Sequence, residues 1–296
     1  MRKCVLVLLL TFLCARSDAQ GWKFNMHVND LQEKMANCVV KLDIKKAVGN
    51  WSGTGVLFHV FDPKDYCRQI QTVLTARHLV ENAESVEMTL QFRKGETEAP
   101  LVKERVCYTK DSLRVFCHPD KSVDLCAIII SQVVSEHSSR KETLLYSLDS
   151  TVLADEALYV KERPLDPVVM VGYPPGLIDE VNLQPIFRRG VYATNPSLDY
   201  RGEKVLLLDI PNNGGSSGSP IFHFDDKLYK QRETHGVGVV MGSRLALVGI
   251  SFDGVNPAKG DSYAMPITGP SNNTAWVVKT TKIKELFTAM VSTYMK

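Results

Sequence analysis

The sequence predicts an all-β protein built from two antiparallel β-barrels with a C-terminal α-helix. Three observations lead to this fold class. Short runs rich in Val, Ile, Leu, Phe and Thr recur along the chain, turn clusters rich in Gly, Pro and Asp separate them, and one long helical pattern comes last. Many short strands with such turns favour barrels or sandwiches over alternating β-α-β units. The 296 residues suffice for two barrels of about 130 residues each.

Composition excludes several other classes. The formal net charge is +2 and the pI is about 8.1, which gives no reason to expect a nucleic-acid partner. The longest apolar run, Val5 to Leu10, is far shorter than the ~18 residues of a membrane span. Average glycine and proline contents exclude collagen-like and disordered chains. We therefore expect a globular protein with no membrane span.

Residues 1–19 are interpreted as a secretory signal peptide. Arg2 and Lys3 precede the apolar stretch 5–15, and the small residues around Ala19 offer a cleavage site. A buried first strand or helix is the alternative, and a lipoprotein is a lesser one because Thr11-Phe12-Leu13 is a poor lipobox before Cys14. Cleavage leaves 32 basic and 32 acidic residues in the mature chain 20–296. Export predicts a secreted or periplasmic protein.

Five cysteines remain after this cleavage: Cys38, Cys67, Cys107, Cys117 and Cys126. An odd number cannot all pair within one chain. Cys107 and Cys117 flank a segment that could be a hairpin closed by a disulfide, whereas Cys126 lies in an apolar strand and is expected to be a buried free thiol. A zinc site from Cys107, Cys117 and His118 lacks the paired spacing of zinc ligands. No metal is therefore expected.

The predicted strands fall into two series. The first series comprises residues 38–42, 55–60, 71–76, 86–92 and 125–130, and it predicts a first barrel over about 36–147. The second series comprises residues 157–160, 168–172, 187–193, 205–210, 219–224, 245–252 and Tyr263 to Ile267, and it predicts a second barrel over about 157–280. The polar stretch 148–156 joins the two halves. Residues 281–296 form the predicted helix, because Ile283, Leu286, Phe287, Met290, Val291 and Tyr294 recur on one helical face.

The segment Gly214 to Pro220 carries the first chemical signal. It could be a flexible Gly/Ser linker, but it joins two apolar strands, which linkers rarely do. A hydrolase needs a serine on a tight turn whose backbone N–H groups point at the carbonyl under attack, and glycines permit such a turn. Ser217 is therefore a candidate nucleophile.

A serine hydroxyl needs a base, and the base needs an orienting acid. His78 directly follows the strand ending in Thr75-Ala76, and Asp124 opens the apolar strand Leu125 to Ile130. Either residue alone is more often structural. Their order and spacing favour the functional reading, because 46 and 93 residues separate His78, Asp124 and Ser217, against about 45 and 93 in the chymotrypsin template.

These motifs resemble the trypsin-like serine peptidases of the chymotrypsin fold. Gly215 to Pro220 resembles their Gly-x-Ser-Gly-x-Pro loop, and residues 75–78 resemble their Thr-Ala-x-His motif. Ser52 to Leu57 and Met170 to Pro174 are similar to segments of the bacterial-type branch that includes staphylococcal glutamyl endopeptidase. The resemblance covers roughly residues 36–296.

The resemblance implies a serine endopeptidase acting on protein or peptide substrates. It implies His78, Asp124 and Ser217 as the catalytic triad, and the backbone N–H groups of Gly215 and Ser217 as the oxyanion hole. Ser251 and Phe252, on a strand that resembles the wall of the specificity pocket, are implied to bind substrate. No cofactor or metal is implied, and a monomer is expected.

The chain also departs from the digestive trypsins. Ser216 replaces the Asp that captures a new N-terminus, so activation by that insertion is not expected. Leu79 replaces the cysteine that follows the catalytic histidine, and Pro211 replaces the Asp that selects Arg or Lys. Substrate preference therefore stays open.

Three alternatives to a peptidase were considered. A catalytically inactive binding module could keep the same fold, and an esterase could use the same triad. The glycines of residues 236–242 lack both the Gly-x-Gly-x-x-Gly frame and a following helix, so a dinucleotide site is not expected.

Overall fold

The computed structural model describes most of the chain as β-structure. The described residues are 31–94, 102–144, 146–175, 177, 179, 181–212, 215–226, 228–233, 236–252 and 273–295. The predicted signal peptide and the predicted strand Tyr263 to Ile267 lie outside these residues. Within them, no helix combines the length and apolar character needed to cross a membrane.

The first half forms one eight-stranded antiparallel sheet. Its strands pair in the order β5-β4-β1-β2-β3-β7-β6, and β8 also pairs with β4. Their bounds are β1 Val39–Lys46, β2 Gly49–Asp62, β3 Asp65–Thr75, β4 Ala83–Lys94, β5 Val102–Thr109, β6 Val115–Cys117, β7 Cys126–Ile129 and β8 Glu142–Leu144.

Alternating burial shows why this sheet folds over a core. On β4, Val86, Met88, Leu90 and Phe92 are buried, while the residues between them are partly exposed. A strand with this period has one face on the core and the other toward solvent. The central strand β2 instead has a continuous buried run, Gly53 to Phe58, as expected of a strand covered on both faces.

The second half closes into a six-stranded barrel. Its strand order is β10-β11-β16-β15-β12-β9, and β13 pairs with β14 as a separate hairpin. The bounds are β9 Pro167–Gly172, β10 Ile186–Tyr192, β11 Val205–Asp209, β12 Pro220–Asp225, β13 Leu228–Glu233, β14 Gly236–Met241, β15 Arg244–Phe252 and β16 Thr274–Lys279.

Within the described residues, five α-helices connect or cover these strands. They are α1 Leu31–Asn37, α2 Arg77–Val80, α3 Ser131–Ser139, α4 Glu156–Lys161 and α5 Thr280–Tyr294. The last helix returns to the first sheet, where the ring of Phe287 lies 5.2 Å from the ring of Phe58 on β2. Ile283, Leu286 and Met290 of α5 are buried in the same core.

One apolar core runs across both halves. It contains Val56 and Leu74 from the first sheet together with Val171, Phe222 and Ile250 from the barrel. A short 3₁₀-helix, Ser150–Val152, precedes α4 in the segment that joins the two halves. In this segment the amide of Ala154 donates to the carbonyl of Leu247 on β15 at 2.8 Å. The two halves therefore form a common junction, and the candidate site lies there.

The predicted fold class is confirmed by the closed barrel, the second antiparallel sheet and the C-terminal helix. One predicted strand, residues 157–160, is wrong because this segment is helical in α4. The carboxylate of Asp155 accepts a hydrogen bond from the amide of Leu158 at 2.8 Å, and this N-terminal cap starts the helix.

The hairpin considered for Cys107 and Cys117 does not form. Cys107 lies on β5, which pairs with β4, and its partner across the strands is Glu87. Cys117 lies on β6, which pairs with β7. Short spacing along the chain suggested a hairpin, but the two strands have different neighbours in the sheet.

Candidate active site

His78 and Asp124 form the best-defined pair of the site. Nδ1 of His78 lies 2.5 Å from Oδ2 of Asp124, and the backbone amide of His78 donates to Oδ1 at 2.8 Å. The imidazole is 29% exposed and the carboxylate 9%. Because an ionised carboxylate only accepts hydrogen bonds, Nδ1 carries the proton and Nε2 is left as an acceptor.

Strand pairing brings these two residues together. Thr75, at the end of β3, lies opposite Cys126 at the start of β7. In an antiparallel pair, the residues that follow one strand meet those that precede its neighbour. His78 lies just after β3 and Asp124 just before β7, so the 46-residue separation in sequence closes to a direct contact.

Arg77 ties α2 to the segment that leads into Asp124. Its guanidinium donates to the carbonyl of His118 at 2.5 Å and to the carbonyl of Lys121 at 3.0 Å. Both acceptors precede Asp124 in the chain. The residues next to His78 and next to Asp124 are thereby joined a second time.

Lys46 is a site residue that the sequence analysis missed. Its Nζ donates to the backbone carbonyl of His78 at 2.6 Å and lies 5.6 Å from the centre of the Trp51 ring. Burial lowers the pKa of Lys46, while Glu81 and Asp124 act in the opposite direction. No local motif marks this lysine, because its contact depends on the pairing of β1 with β4.

Ser217 lies on a tight turn between two glycines with positive φ. Gly215 has φ +81° and Gly218 has φ +84°, a backbone region that side chains other than glycine rarely adopt. The amide of Ser219 donates to the carbonyl of Ser216 at 3.0 Å and closes the turn. The predicted tight turn is thus present, and a flexible linker is not what these residues form.

Gly218 also lies where a larger residue has no space. A Cβ atom there would lie 1.9 Å from the carbonyl oxygen of Thr54 and 2.4 Å from Oγ1 of Thr75. The absence of a side chain at Gly218 lets the Ser217 turn approach β2 and the end of β3. This close approach brings the turn near the segment that carries His78.

Thr54 is the residue that connects the parts of the site, and it was also missed. Its amide donates to the carbonyl of Ser217 at 3.0 Å, and its carbonyl accepts from Oγ1 of Thr75 at 2.7 Å. Its own Oγ1 accepts from the amide of Tyr173 at 3.0 Å and reaches the carbonyl of Gly215 at 3.5 Å. Thr54 is fully buried, so water does not compete for these bonds.

The neighbouring Gly53 contacts the other side of the site. The side chain of Leu79, next to His78, fills the space in which a Cβ atom of Gly53 would lie. Consecutive residues of β2 therefore contact the histidine segment and the serine turn. Among the described residues, no hydrogen bond joins Oγ of Ser217 directly to His78. The structure places both residues at one junction without closing that bond.

The backbone amides of Gly215 and Ser217 have no acceptor among the described residues. Both belong to the turn whose φ angles are fixed by Gly215 and Gly218. Two N–H groups that lie two residues apart on one tight turn can hold an oxygen that acquires negative charge, which is the chemistry expected of an oxyanion hole.

Ser251 and Phe252 lie at the end of β15. The carbonyl of Ser251 accepts from the amide of Gly218, and its amide donates to the carbonyl of Ser219, both at 2.8 Å. Ser251 thus supports the serine turn with both backbone groups. Phe252 is buried and packs near the ring of Trp276 at 6.4 Å. Contact of either residue with substrate stays a prediction.

Arg188 adds a positive charge behind the serine turn. Nη1 of this β10 residue donates to the carbonyl of Pro211 at 2.9 Å and reaches Oγ of Ser216 at 3.5 Å. Burial lowers the pKa of the guanidinium, and no carboxylate of the described residues forms an ion pair with it. No local motif marks Arg188, because its contacts depend on how β10 packs against the serine turn.

No metal-binding cluster accompanies this arrangement in the described part of the chain. Groups of three or more His, Cys, Asp or Glu side chains able to hold a metal ion are absent from the described residues. The polar groups that converge are an imidazole, a carboxylate, a serine turn and three cationic groups, those of Lys46, Arg77 and Arg188. Such a set suits proton transfer and acyl chemistry.

Comparison with known proteins gives one family and a set of similar structures. A family model described as a trypsin-like peptidase domain matches residues 53–229, a stretch that contains His78, Asp124 and Ser217. No curated protein matches the sequence significantly.

Three of the similar solved structures illustrate the range of sequence identity, TM-score and coverage. The serine endoprotease from Yersinia pestis has 14% identity and a TM-score of 0.43, with 88% of this chain and 65% of that chain covered. The HtrA-type protease AlgW with tripeptide has 14% identity and a TM-score of 0.47, with 88% and 62% covered. The catalytically active tobacco etch virus protease with product has 10% identity and a TM-score of 0.44, with 83% and 74% covered. The chain spans less than two thirds of the first two structures.

Proposed function

Because the chain belongs to the trypsin-like peptidase domain family, we propose that it is a secreted serine endopeptidase with the triad His78, Asp124 and Ser217. The observation that carries this proposal is the double contact between His78 and Asp124, in which one carboxylate holds both the ring and the backbone of the histidine. A histidine with a merely structural role needs no such fixation of its tautomer. The proposal extends to a monomer that acts on protein or peptide substrates.

The first half of the reaction forms an acyl-enzyme. Oγ of Ser217 attacks the scissile carbonyl carbon and transfers its proton to Nε2 of His78. The imidazolium gives that proton to the leaving amine when the amide C–N bond breaks. Asp124 stays ionised throughout, because its role is to stabilise the imidazolium and to keep Nδ1 protonated.

The second half of the reaction releases the acid. Water attacks the ester carbonyl of acylated Ser217, His78 accepts the proton of water, and Oγ leaves with a proton from His78. In both halves the carbonyl oxygen becomes negative. The amides of Gly215 and Ser217 are the proposed donors to this oxygen, and one such donor is worth about 2.7–4 kcal/mol in a characterised peptidase.

We further propose that Arg188 selects substrates with a carboxylate next to the scissile bond. Its guanidinium lies against Pro211 and Ser216 at the base of the serine turn. A half-buried cation attracts an anionic ligand, and no carboxylate among the described residues pairs with Arg188. An aspartate or glutamate side chain would supply the missing partner.

The experiment that tests the activity is active-site labelling. The purified chain is treated with a fluorophosphonate, digested and analysed by mass spectrometry, next to Ser217→Ala and to the matched variant Ser216→Ala. We expect one phosphonyl adduct on Ser217, retained in Ser216→Ala and lost in Ser217→Ala. Folded wild-type protein without an adduct would overturn the proposal and favour a binding module.

A paired substrate assay separates the peptidase from an esterase. A peptide amide and the corresponding ester are offered to the labelled and unlabelled protein. Turnover of both substrates, abolished by the label, supports the endopeptidase. Turnover of the ester alone would replace the proposed activity with that of an esterase.

A further inference from the structure

Cys117 and Cys126 lie directly opposite each other on neighbouring strands. Cys117 ends β6, Cys126 begins β7, and they are partners in the antiparallel register. Both are reduced in the structure. Cys117 is exposed, whereas Cys126 is fully buried. Of the three other described cysteines, Cys67 lies on β3, Cys107 lies on β5, and Cys38 lies between α1 and β1.

The hydrogen-bond pattern shows which kind of pair they form. The amide of His118 donates to the carbonyl of Leu125 at 3.0 Å, and the amide of Ile129 donates to the carbonyl of Arg114 at 2.8 Å. Hydrogen-bonded pairs alternate along an antiparallel ladder, so the intervening pair Cys117 and Cys126 is a non-hydrogen-bonded one. In such a pair the Cα atoms lie about 4.5 Å apart, within the about 4.4–6.8 Å that a disulfide spans.

The two thiols also differ in reactivity. A hydrogen bond from the Cys126 thiol lowers the pKa of Cys117 to about 6 against the effect of burial, and the Arg77 guanidinium acts in the same direction as that bond. Burial raises the pKa of Cys126. One thiol is thus an accessible thiolate and the other a buried partner, as thiol–disulfide exchange requires.

We propose that Cys117 and Cys126 form a cross-strand disulfide when the chain meets a small-molecule disulfide such as oxidised glutathione. The Cys117 thiolate attacks one sulfur of the oxidant, forms a mixed disulfide and releases one small thiolate. Cys126 gives its proton to that thiolate and attacks the sulfur of Cys117, which expels the second small thiolate. Two protein thiols are oxidised, and one small disulfide is reduced to two thiols.

The position of this disulfide gives it a consequence for the site. The ring it closes contains Asp124 and the carbonyls of His118 and Lys121 that bind Arg77. Cys126 itself lies opposite Thr75, three residues before His78. The bond therefore cross-links the hairpin that presents Asp124 to His78. This inference rests on exposure to an oxidant but not on the proposed peptidase activity.

Tryptic digestion puts Cys38, Cys67, Cys107, Cys117 and Cys126 on five different peptides, which makes the test direct. Cleavage after Lys and Arg puts Cys117 on residues 115–121, Cys126 on residues 122–140 and Cys107 on residues 106–110. The full chain is equilibrated with a glutathione redox buffer and exchange is quenched with acid. The remaining thiols are then trapped with N-ethylmaleimide in denaturant, and the non-reduced digest is analysed by mass spectrometry. Dithiothreitol treatment before trapping provides the reduced reference.

We expect peptides 115–121 and 122–140 to be linked in oxidised protein, with a mass two hydrogen atoms below their sum, and to separate on reduction. The link should persist in the matched variant Cys107→Ser and disappear in Cys126→Ser. Two outcomes would overturn the proposal: full alkylation of Cys117 and Cys126 in oxidising buffer, or linkage of Cys117 to Cys107. Because the readout is mass, it is independent of catalytic turnover.

Discussion

The amide of Thr54 donates a 3.0 Å hydrogen bond to the carbonyl of Ser217, and this bond joins the sheet of the first half to the serine turn of the second. The same residue accepts from Thr75 at the end of the strand that leads to His78. The proposed nucleophile and the proposed base are therefore positioned against one buried threonine.

Replacement of Thr54 by Val should weaken both the fold and the site. The change removes the hydroxyl that accepts from the amide of Tyr173 at 3.0 Å and leaves that amide unpaired, which costs about 1–3 kcal/mol of unfolding free energy. Denaturant unfolding and the rate of fluorophosphonate labelling measure the two effects. Thr54→Ser, which keeps the hydroxyl, is expected to recover most of the labelling rate. Thr72→Val, at another buried threonine of the sheet, should lower stability without slowing labelling of the folded protein.

Replacement of Asp124 by Asn should preserve the fold and remove most of the activity. An amide can donate to Nδ1 and so permits the tautomer in which Nε2 carries the proton and cannot act as a base; in the chymotrypsin template the corresponding loss in kcat is about 10⁴-fold. Peptide hydrolysis under saturating substrate measures kcat. The control Asp120→Asn lies on the same loop but its carboxylate bonds only to Ser122, so its kcat should stay near wild type. A similar kcat for Asp124→Asn and wild type would contradict the assigned role.

Replacement of Gly218 by Ala should destabilise the protein more than the same change at Gly202. Both glycines have φ near +80°, so both variants carry a similar backbone cost of roughly 1–3 kcal/mol. A Cβ atom at Gly218 would lie 1.9 Å from the carbonyl oxygen of Thr54, whereas nothing lies within 4 Å of one at Gly202. The difference between the two unfolding free energies therefore measures the clash at the junction. Equal losses would mean that the turn can move away from β2 freely.

Replacement of Arg188 by Glu should invert the charge preference of the proposed peptidase. Loss of a charged hydrogen-bond donor is worth about 1.5–3 kcal/mol, so kcat/KM for substrates with Asp or Glu at the cleavage position should fall about 10- to 150-fold. Cleavage at Lys or Arg should increase. The matched variant Arg189→Glu changes an exposed neighbour on the other face of β10 and should leave the preference unchanged. An equal loss on every substrate would instead mean that Arg188 only supports the turn.

The alkylation rate of Cys117 in the reduced protein should rise with pH, with a midpoint near pH 6. Because the pKa is lowered from 9.0 to about 6, the thiolate is populated above that pH in the folded chain, but only near pH 9 in the unfolded chain. The group stabilises the fold above its unfolded pKa, and this contribution is lost as pH falls from about 9 to about 6. Iodoacetamide labelling rates against pH, read on peptide 115–121, measure the folded pKa. Cys126→Ala removes the hydrogen-bond donor and should move the midpoint to higher pH; an unmoved midpoint would contradict the thiol–thiol interaction.

Local sequence patterns predicted much of the fold and identified His78 and Asp124 as candidate site residues. The predicted strands at residues 86–92 and 125–130 correspond to β4 and β7. Both could be predicted because the order of apolar residues along each strand matches the order of its buried residues. His78 and Asp124 were found in the same way, since each has a strand next to it. The strand prediction for residues 157–160 was wrong because an apolar run of four residues fits a strand or a helix equally well. The N-terminal cap by Asp155 favours the helix.

Contacts that depend on strand register could not be predicted from the sequence. Thr54 was quoted only as part of a motif, since its four bonds reach residues 21 to 163 positions away along the chain. Lys46 and Arg188 resemble any other charged strand residue until the sheets assemble. The pairing of Cys117 with Cys126 rather than with Cys107 likewise depends on which strands become neighbours in the sheet.

The return of α5 to β2 makes the order of synthesis matter for the first sheet. The residues of β2 leave the ribosome more than two hundred positions before Phe287, whose ring covers Phe58. Throughout that interval α5 has not been synthesised, so the apolar surface of β2 that it covers is exposed. Exposed apolar surface promotes aggregation of folding intermediates. A ribosome-bound chain that stops before residue 280 would already carry His78, Asp124 and Ser217 but would depend on a chaperone to shield this sheet.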